Sequence, residues 1–438
     1  MISIKNKIIN NYFWLAIGKI AQAIISLIVG VLLVRYLGAS DFGLINYVST
    51  ITSMLLPIAQ LGQQSILVKE IVTSDVEDNV ILGSSIFLTI ISSVVCYILC
   101  LLLVLVFNNN EIDTIICCAI YSLVLFFESM QLIVFWFQAR LLSKYTSFIY
   151  LIAYLFMITY KVVLLVKKAS VYFFALSYSI DLLFISLFGF IFFHKITKQK
   201  LSVSIDLCKD LLNKGKHFII PGMLVTLLTQ TDKIMLKNMI NNSAIGIYAI
   251  ALSCASMTSF VFVPIIDALR PVVLEKLKVS IDSFNNGIIE LYSIVIYLGI
   301  AAGVMICLFS NVIVKLFYGI KFIEVSSVLS IVVWHTIFSY VVVVRDIWIV
   351  GLNKQYILTP LNIIGVLLNI VLNYLYIRFF GINGAAIATL ISLMFVLVVL
   401  GLSVKTLKKC TILMIKSLNP KYIINIIKKI FHVLNYSR

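Results

Sequence analysis

The segment that decides the fold opens with Tyr12-Phe-Trp-Leu-Ala-Ile-Gly-Lys19 and stays apolar as far as Val34. There Arg35-Tyr-Leu-Gly38-Ala-Ser-Asp41-Phe-Gly43 interrupts it, and a second apolar run follows over residues 44–67. Each run has the roughly 20 residues that a helix needs to cross the hydrocarbon core of a bilayer. Because a short, glycine-punctuated turn joins them, the two runs predict an antiparallel transmembrane hairpin.

The composition extends this interpretation to the whole chain. Of its 438 residues, 62% are hydrophobic and only 12% are charged, and the mean hydropathy is +1.11. The apolar runs are continuous and long, which is typical of transmembrane helices. We therefore predict an all-α, polytopic membrane protein with about 12 transmembrane helices. The predicted spans are residues 12–34, 44–67, 82–107, 114–138, 146–166, 171–193, 218–240, 245–267, 288–310, 325–344, 356–377 and 385–404.

The basic residues predict the orientation of these spans. The net charge is +16, and 24 of the 34 Lys and Arg residues fall in the segments that an inside N-terminus makes cytoplasmic. Cytoplasmic loops are enriched in Lys and Arg, so both termini are expected in the cytoplasm. The excess of positive charge then faces anionic lipid headgroups, and we expect no nucleic-acid partner.

A polar stretch near the middle of the chain divides the spans into two sets of six. Residues 194–217 are rich in lysine and contain an amphipathic patch, which predicts a short helix on the cytoplasmic face. The predicted organisation is an N-terminal six-helix lobe (residues 1–193), this linker, a C-terminal six-helix lobe (218–404) and a basic amphipathic cytoplasmic tail (405–438). In the tail, the residues predicted to share one apolar helical face are Ile423, Ile427, Ile430 and Leu434.

The sequence carries no signature of a metal site, a cofactor or a nucleotide. The eight cysteines lie mostly within the predicted spans, without a Cys-x-x-Cys or Cys/His ligand spacing, and are interpreted as small packing residues. No Gly-x-x-x-x-Gly-Lys-Ser/Thr phosphate loop occurs. Any energy for transport is therefore expected from an ion gradient or from the substrate gradient.

Polar side chains within the spans are the candidate functional groups, because a charge at the bilayer centre costs about 2.5–3.5 kcal/mol on insertion scales. The candidates are Lys19 and Gln22 in the first span, Glu128 in the fourth, Lys161 in the fifth, Asp181 in the sixth, and Gln230, Asp232 and Lys233 in the seventh.

Each of these groups also has a structural interpretation. Polar stripes can be helix–helix contacts, Lys161 can extend to the outer surface with Lys167, and Lys19 and Lys233 can form buried ion pairs. His335 is interpreted as an interior histidine with its hydrogen bonds satisfied.

Several motifs resemble the Wzx-type polysaccharide flippases. They are Asn11-Tyr-Phe-Trp-Leu with Lys19, the turn Val34-Arg-Tyr-Leu-Gly38, Leu61-Gly-Gln63, Asp232-Lys-Ile-Met-Leu236 and Gly246-Ile-Tyr248. That family belongs to the superfamily that also holds multidrug and toxin extrusion transporters and the lipid II flippase. The resemblance implies two six-helix lobes in a V, alternating access, and a cavity lined mainly by the first, second, seventh and eighth spans.

The resemblance also implies a function, and the chemistry of the polar residues in the spans indicates which of them could serve it. The expected substrate is undecaprenyl-diphosphate-linked oligosaccharide, moved from the inner to the outer leaflet of the bacterial plasma membrane for O-antigen or capsule synthesis. Membrane lipids and other polysaccharide-assembly membrane proteins are further expected partners. Lys19 and Lys233 are candidates for the diphosphate, with Lys161 less well placed, and Gln22 and Gln230 are candidates for sugar. Asp232, Glu128 and Asp181 are candidates for ion coupling.

Two other functions remain open at this point. A cation-coupled multidrug exporter of the same superfamily would favour carboxylates and aromatic rings over deep lysines. A membrane oligosaccharide polymerase or ligase would be expected to carry a sizeable outside loop with catalytic residues, whereas the predicted outside loops are short.

Overall fold

Helices make up every regular element that the structure describes, and no strand occurs among the described residues. The structure is a computed structural model that describes the backbone of residues 2–108, 111–426 and 428, and the side chains within these ranges from Ile25 onward, except Ser143. The helices are α1 (Ile2–Gln60), α2 (Gln63–Thr73), α3 (Asp78–Phe107), α4 (Ile112–Tyr121), α5 (Val124–Met130), α6 (Ile133–Ala139), α7 (Ser143–Val166), α8 (Val171–Thr197), α9 (Ile205–Gly215), α10 (Ile219–Met239), α11 (Asn242–Ser256), α12 (Ser259–Glu275), α13 (Ile281–Phe317), α14 (Val325–Gly351), α15 (Leu358–Met394), α16 (Gly401–Ser403) and α17 (Lys405–Ser417).

Most of these helices are long and apolar enough to be the predicted spans. Within the described residues, nine helical segments are long and apolar enough to cross a membrane, or ten if the bent pair α11 and α12 forms one span. Two of these segments, Ile25–Thr73 and Gln355–Ser403, have 49 residues each. Each contains a glycine with non-helical backbone angles, Gly38 or Gly381. If each segment is divided at its glycine, the upper count of ten within the described residues becomes twelve. The multi-pass all-α fold is confirmed.

Helix α1 has a kink at Gly38, within the segment where the first hairpin turn is predicted. This residue has φ 76° and ψ 179°, a conformation that side-chain-bearing L-residues rarely adopt. The second run ends earlier than predicted. The helix stops at Gln60, because Leu61 (φ 48°) and Gly62 (φ 69°) take left-handed conformations, and the chain continues as α2.

The chain forms two compact units, unit 1 (residues 1–230) and unit 2 (residues 231–438). The division lies within α10 rather than in the linker. The first part of α10 has its contacts in unit 1, where Gly222 lies against Pro57 and the Thr50 hydroxyl donates to Gln230 Oε1 over 3.3 Å. The division into lobes of residues 1–193 and 218–404 stays a prediction.

Unit 1 has an apolar core with a polar contact at one end. Leu67, Ile81, Ile133 and Phe137 are among its buried residues. Asp78, the first residue of α3, accepts hydrogen bonds from two residues near the end of α6. Trp136 Nε1 donates at 2.7 Å, and Arg140 Nε and Nη2 donate at 2.8 and 2.6 Å. The hydrogen bond with Asp78 raises the pKa of Arg140. This pair secures the start of α3 against the loop after α6.

The predicted linker helix exists as α9, and it packs on unit 1. Cys208 and Leu211 face inward, and the Gln63 amide donates to the Leu211 carbonyl at 3.2 Å. Lys214 donates to Glu70 of α2 at 2.8 Å. Gly215 meets the α1–α2 break so closely that a Cβ on it would overlap the carbonyl oxygen of Leu61.

Unit 2 is built around α13 and α14, and the start of the basic tail is part of its core. In α17, Leu407, Cys410, Leu413 and Met414 are buried in that core. Tyr297 of α13 donates to the Leu418 carbonyl at 2.7 Å. Helix α17 therefore packs on protein with one face and leaves its lysines exposed on the other. Of the predicted apolar tail residues, Ile427, Ile430 and Leu434 lie outside the described residues.

Candidate functional site

Asp232 lies at the centre of a buried polar cluster in unit 2. It sits on α10, and its neighbours come from α11 and α15. Only 3% of Asp232 is exposed, and Tyr248, Asn369, Asn373 and Thr389 are buried as well. We call these five residues the Asp232 cluster.

Neutral groups supply the hydrogen bonds to the Asp232 carboxylate. Asn373 Nδ2 donates to Oδ1 at 2.7 Å, while the hydroxyls of Tyr248 and Thr389 donate to Oδ2 at 2.6 and 2.7 Å. Hydrogen bonds to an ionised acceptor are short and strong, and they offset part of the cost of a carboxylate at membrane depth. The cluster can therefore hold a charged carboxylate in place.

One buried atom of the cluster and one buried atom of His335 have no hydrogen-bond partner among the described residues. These are Asn373 Oδ1 and, in α14, His335 Nδ1. His335 lies within electrostatic range of Asp232. The interpretation of His335 as fully satisfied is therefore wrong for one ring nitrogen. Carboxylate, amide and hydroxyl oxygens together are ligands that hard cations prefer, and a lone carboxylate can also take a proton.

Lys233 and Gln230 lie close to Asp232 in the sequence of α10. The three hydrogen bonds to Asp232 described above come from other residues. Lys233 is half-buried and interacts electrostatically with Asp232. Successive helical residues point about 100° apart, so Lys233 faces a different direction. Gln230 belongs to unit 1, where it accepts a hydrogen bond from Thr50.

Unit 1 carries a second polar surface, which starts near the middle of its spans. Glu128 Oε1 accepts hydrogen bonds from the amides of Gln60 and Gln64, each at 3.2 Å. One turn along, Gln131 Nε2 donates to the Tyr150 hydroxyl of α7 at 3.1 Å. Tyr150 is within electrostatic range of both Glu128 and Asp181.

The same surface continues along α7 and α8. The Lys161 ammonium lies 4.8 Å from the ring centroid of Tyr178 and is within electrostatic range of Asp181. The alternative in which Lys161 extends toward Lys167 is therefore not the arrangement found. We call Glu128, Gln131, Tyr150, Lys161, Tyr178 and Asp181 the polar stripe of unit 1.

The structure places the predicted residues in separate groups. Asp232 is in unit 2, whereas Glu128, Lys161 and Asp181 share the polar stripe of unit 1. The side chains of Lys19 and Gln22 lie outside the described residues. No group of three or more His, Cys, Asp or Glu side chains within the described part of the chain could hold a metal ion.

Sequence reasoning missed Thr389 as a neighbour of Asp232. Asn369 and Asn373 are four residues apart, a spacing that places both on one helical face. A single threonine in an apolar helix gives no comparable signal, because it can satisfy its hydroxyl within its own helix.

The fold of this chain is similar to the folds of known membrane proteins. The structure is similar to that of the lipid II flippase MurJ in an inward closed conformation, with a TM-score of 0.68 and 18% identity, covering 94% of this chain and 92% of that one. It is also similar to an inward-facing multidrug resistance MATE family transporter of the MOP superfamily, with a TM-score of 0.64 and 14% identity, covering 87% and 95%.

Sequence comparisons agree with the structural ones. An uncharacterized membrane protein of Methanocaldococcus jannaschii is 23% identical over 420 residues, covering 88% of this chain and 82% of that protein. The family model described as "Polysaccharide biosynthesis protein" matches residues 8–276, more than half of the 438 residues. This multi-pass membrane protein therefore belongs to the polysaccharide biosynthesis protein family.

Proposed function

We propose that this protein is a flippase that moves undecaprenyl-diphosphate-linked oligosaccharide repeat units across the bacterial plasma membrane. It would act from the inner to the outer leaflet, and the product would serve the synthesis of O-antigen or capsule. The family match supports the polysaccharide pathway. The fold similarity to a lipid II flippase supports an architecture suited to such cargo.

The observation that carries the proposal is the Asp232 cluster. A carboxylate buried at membrane depth and held by Tyr248, Thr389 and Asn373 is suited to exchange a proton or Na⁺ during transport. Binding or release of the ion changes the charge at a point where α10, α11 and α15 meet. We assign ion coupling to Asp232 ahead of Glu128 and Asp181. Asp232 is only 3% exposed, whereas Glu128 and Asp181 are half-buried members of the polar stripe of unit 1.

The remaining predicted site residues take substrate roles in this proposal. Lys19 and Lys233 would meet the diphosphate, since ammonium groups form charge-assisted hydrogen bonds with phosphate oxygens. Gln22, Gln230 and Lys161 would meet the sugars. We expect no enzymatic step, no cofactor and no nucleic-acid partner. Other polysaccharide-assembly membrane proteins are candidate neighbours.

The experiment that tests the function follows the substrate between leaflets. After deletion of the gene, lipid-linked oligosaccharide should accumulate in the inner leaflet, and surface polysaccharide should fall. Expression of the intact protein should reverse both effects. Accumulation in the outer leaflet instead would indicate a later step, such as polymerisation or ligation, and would refute the flippase assignment.

A multidrug exporter is the second candidate, favoured by the fold similarity to a MATE family transporter. In that case the deletion would raise sensitivity to cationic drugs and leave the lipid-linked oligosaccharide distributed as in the parent cells. The half-buried Lys233 argues against cationic cargo, because like charges repel at short range.

A further inference from the structure

The polar stripe of unit 1 is one connected surface that runs along the membrane-spanning direction of its helices. Gln131 joins Tyr150 by a 3.1 Å hydrogen bond, Tyr150 lies within electrostatic range of Asp181, and Asp181 lies within that of Lys161. Tyr150 and Lys161 are about 16 Å apart along α7 at 1.5 Å per residue. The stripe thus extends over about half of a hydrocarbon core of about 30 Å.

These side chains are only partly covered by the rest of the chain. Tyr150 is 36% exposed, and the other five members are half-buried. Charged groups that faced lipid at this depth would each cost about 2.5–3.5 kcal/mol or more. A half-buried row of two carboxylates, one ammonium and one amide is therefore expected to face water or a polar ligand.

The chemistry of the stripe suits the sugars of the proposed substrate better than its diphosphate. Glu128 and Asp181 outnumber Lys161, so the stripe has no excess of positive charge with which to attract a diphosphate. Carboxylates, an amide and phenol hydroxyls instead present the acceptors and donors that pair with the hydroxyls of a sugar. The accessible ring of Tyr150 offers a flat apolar face against which the C–H face of a sugar ring can pack.

We infer that the polar stripe of unit 1 is a carbohydrate-binding subsite for the neutral sugars of the lipid-linked substrate, and that the diphosphate is held elsewhere. This inference rests on the proposed flippase function and deepens it. It gives Glu128 and Asp181 a role in sugar recognition rather than ion coupling. It also places Lys161 beside sugar rather than phosphate.

The test separates sugar binding from diphosphate binding with two probes. One is undecaprenyl diphosphate without sugar, and the other is the lipid-linked oligosaccharide extracted from cells that lack the flippase. Affinities would be measured for the full-length protein in lipid nanodiscs. Asp181→Asn and Tyr150→Phe should each weaken binding of the glycosylated lipid about tenfold, the effect of one hydrogen bond to a polar ligand. Both variants should bind sugar-free undecaprenyl diphosphate as the parent protein does.

Tyr160→Phe provides the matched control. Tyr160 lies on the same helix, outside the stripe, and its hydroxyl donates to the Phe173 carbonyl at 3.4 Å. This variant removes the same atom as Tyr150→Phe and should bind both lipids normally. Thermal unfolding of each variant would separate lost binding from lost structure.

Lys161→Gln provides the opposite check. If the stripe held the diphosphate, this change would weaken the binding of both probes. That result would overturn the inference. Equal losses for both probes in Asp181→Asn, or no loss in either stripe variant, would also overturn it while leaving the flippase function intact. A parent protein that binds neither lipid would refute the proposed function together with the subsite.

Discussion

At the scale of single residues, Asp232 is the group to which we assign ion coupling in the proposed function. Its carboxylate accepts hydrogen bonds from Asn373, Tyr248 and Thr389. Asp232→Asn removes the charge that the ion must meet while retaining a side chain of similar shape. We expect gradient-driven transport of lipid-linked oligosaccharide in proteoliposomes to fall to the rate seen without a gradient. Imposing a proton gradient and a Na⁺ gradient separately identifies the ion.

An exposed carboxylate of unit 2 serves as the control for Asp232. Asp282 lies in the first turn of α13 at the surface, and Asp282→Asn should retain the full response to the gradient. Unchanged acceleration by both gradients in the Asp232→Asn protein would exclude this residue from coupling. Loss of the folded protein would instead appear in its yield and melting temperature.

At the scale of elements, the contact between α9 and the α1–α2 break holds the linker on unit 1. Gly215 is in a helical conformation, so Gly215→Ala adds no backbone strain, but its Cβ would overlap the Leu61 carbonyl oxygen. Forcing an extra group into a packed contact costs typically about 1–3 kcal/mol. We expect a lower melting temperature for the purified protein and weaker attachment of α9.

Gly30→Ala is the comparison for that change. Gly30 lies within α1, and no neighbouring atom lies within 4 Å of the position that a Cβ would occupy. Alanine in a helix interior is favoured over glycine by roughly 0.5–1 kcal/mol, so this variant should be as stable as the parent or more so. Equal melting temperatures for the two variants would show that the Gly215 contact is not tightly packed.

At the scale of the whole molecule, the distribution of Lys and Arg predicts that the 194–217 linker and the tail are cytoplasmic. Single cysteines at Ser202 and Lys416, both exposed, should resist an impermeant thiol reagent in intact cells and react after permeabilisation. A cysteine at Lys321, exposed in a predicted outside loop, should react in intact cells. Ser417 is unsuitable because it is buried.

The native cysteines permit a simple background for this labelling. Seven of the eight are buried, and only Cys307 is partly accessible, so replacing Cys307 with serine is expected to suffice. Labelling of Ser202→Cys or Lys416→Cys in intact cells would refute the predicted orientation. The same result at both positions would place the linker and the tail outside.

The sequence by itself determined the class of this protein and the break of its first long apolar segment near Gly38. These follow from the length of apolar runs and from local backbone preferences, which need no knowledge of distant residues. Sequence also identified Asp232 as a polar group in a span. Only the tertiary structure decided what surrounds it, because 141 residues separate Asp232 from Asn373 and 157 separate it from Thr389. Likewise, the sequence predicted a basic amphipathic tail on the membrane surface but not the burial of one face of α17 in unit 2, since an apolar face can pack on lipid or on protein with similar gain.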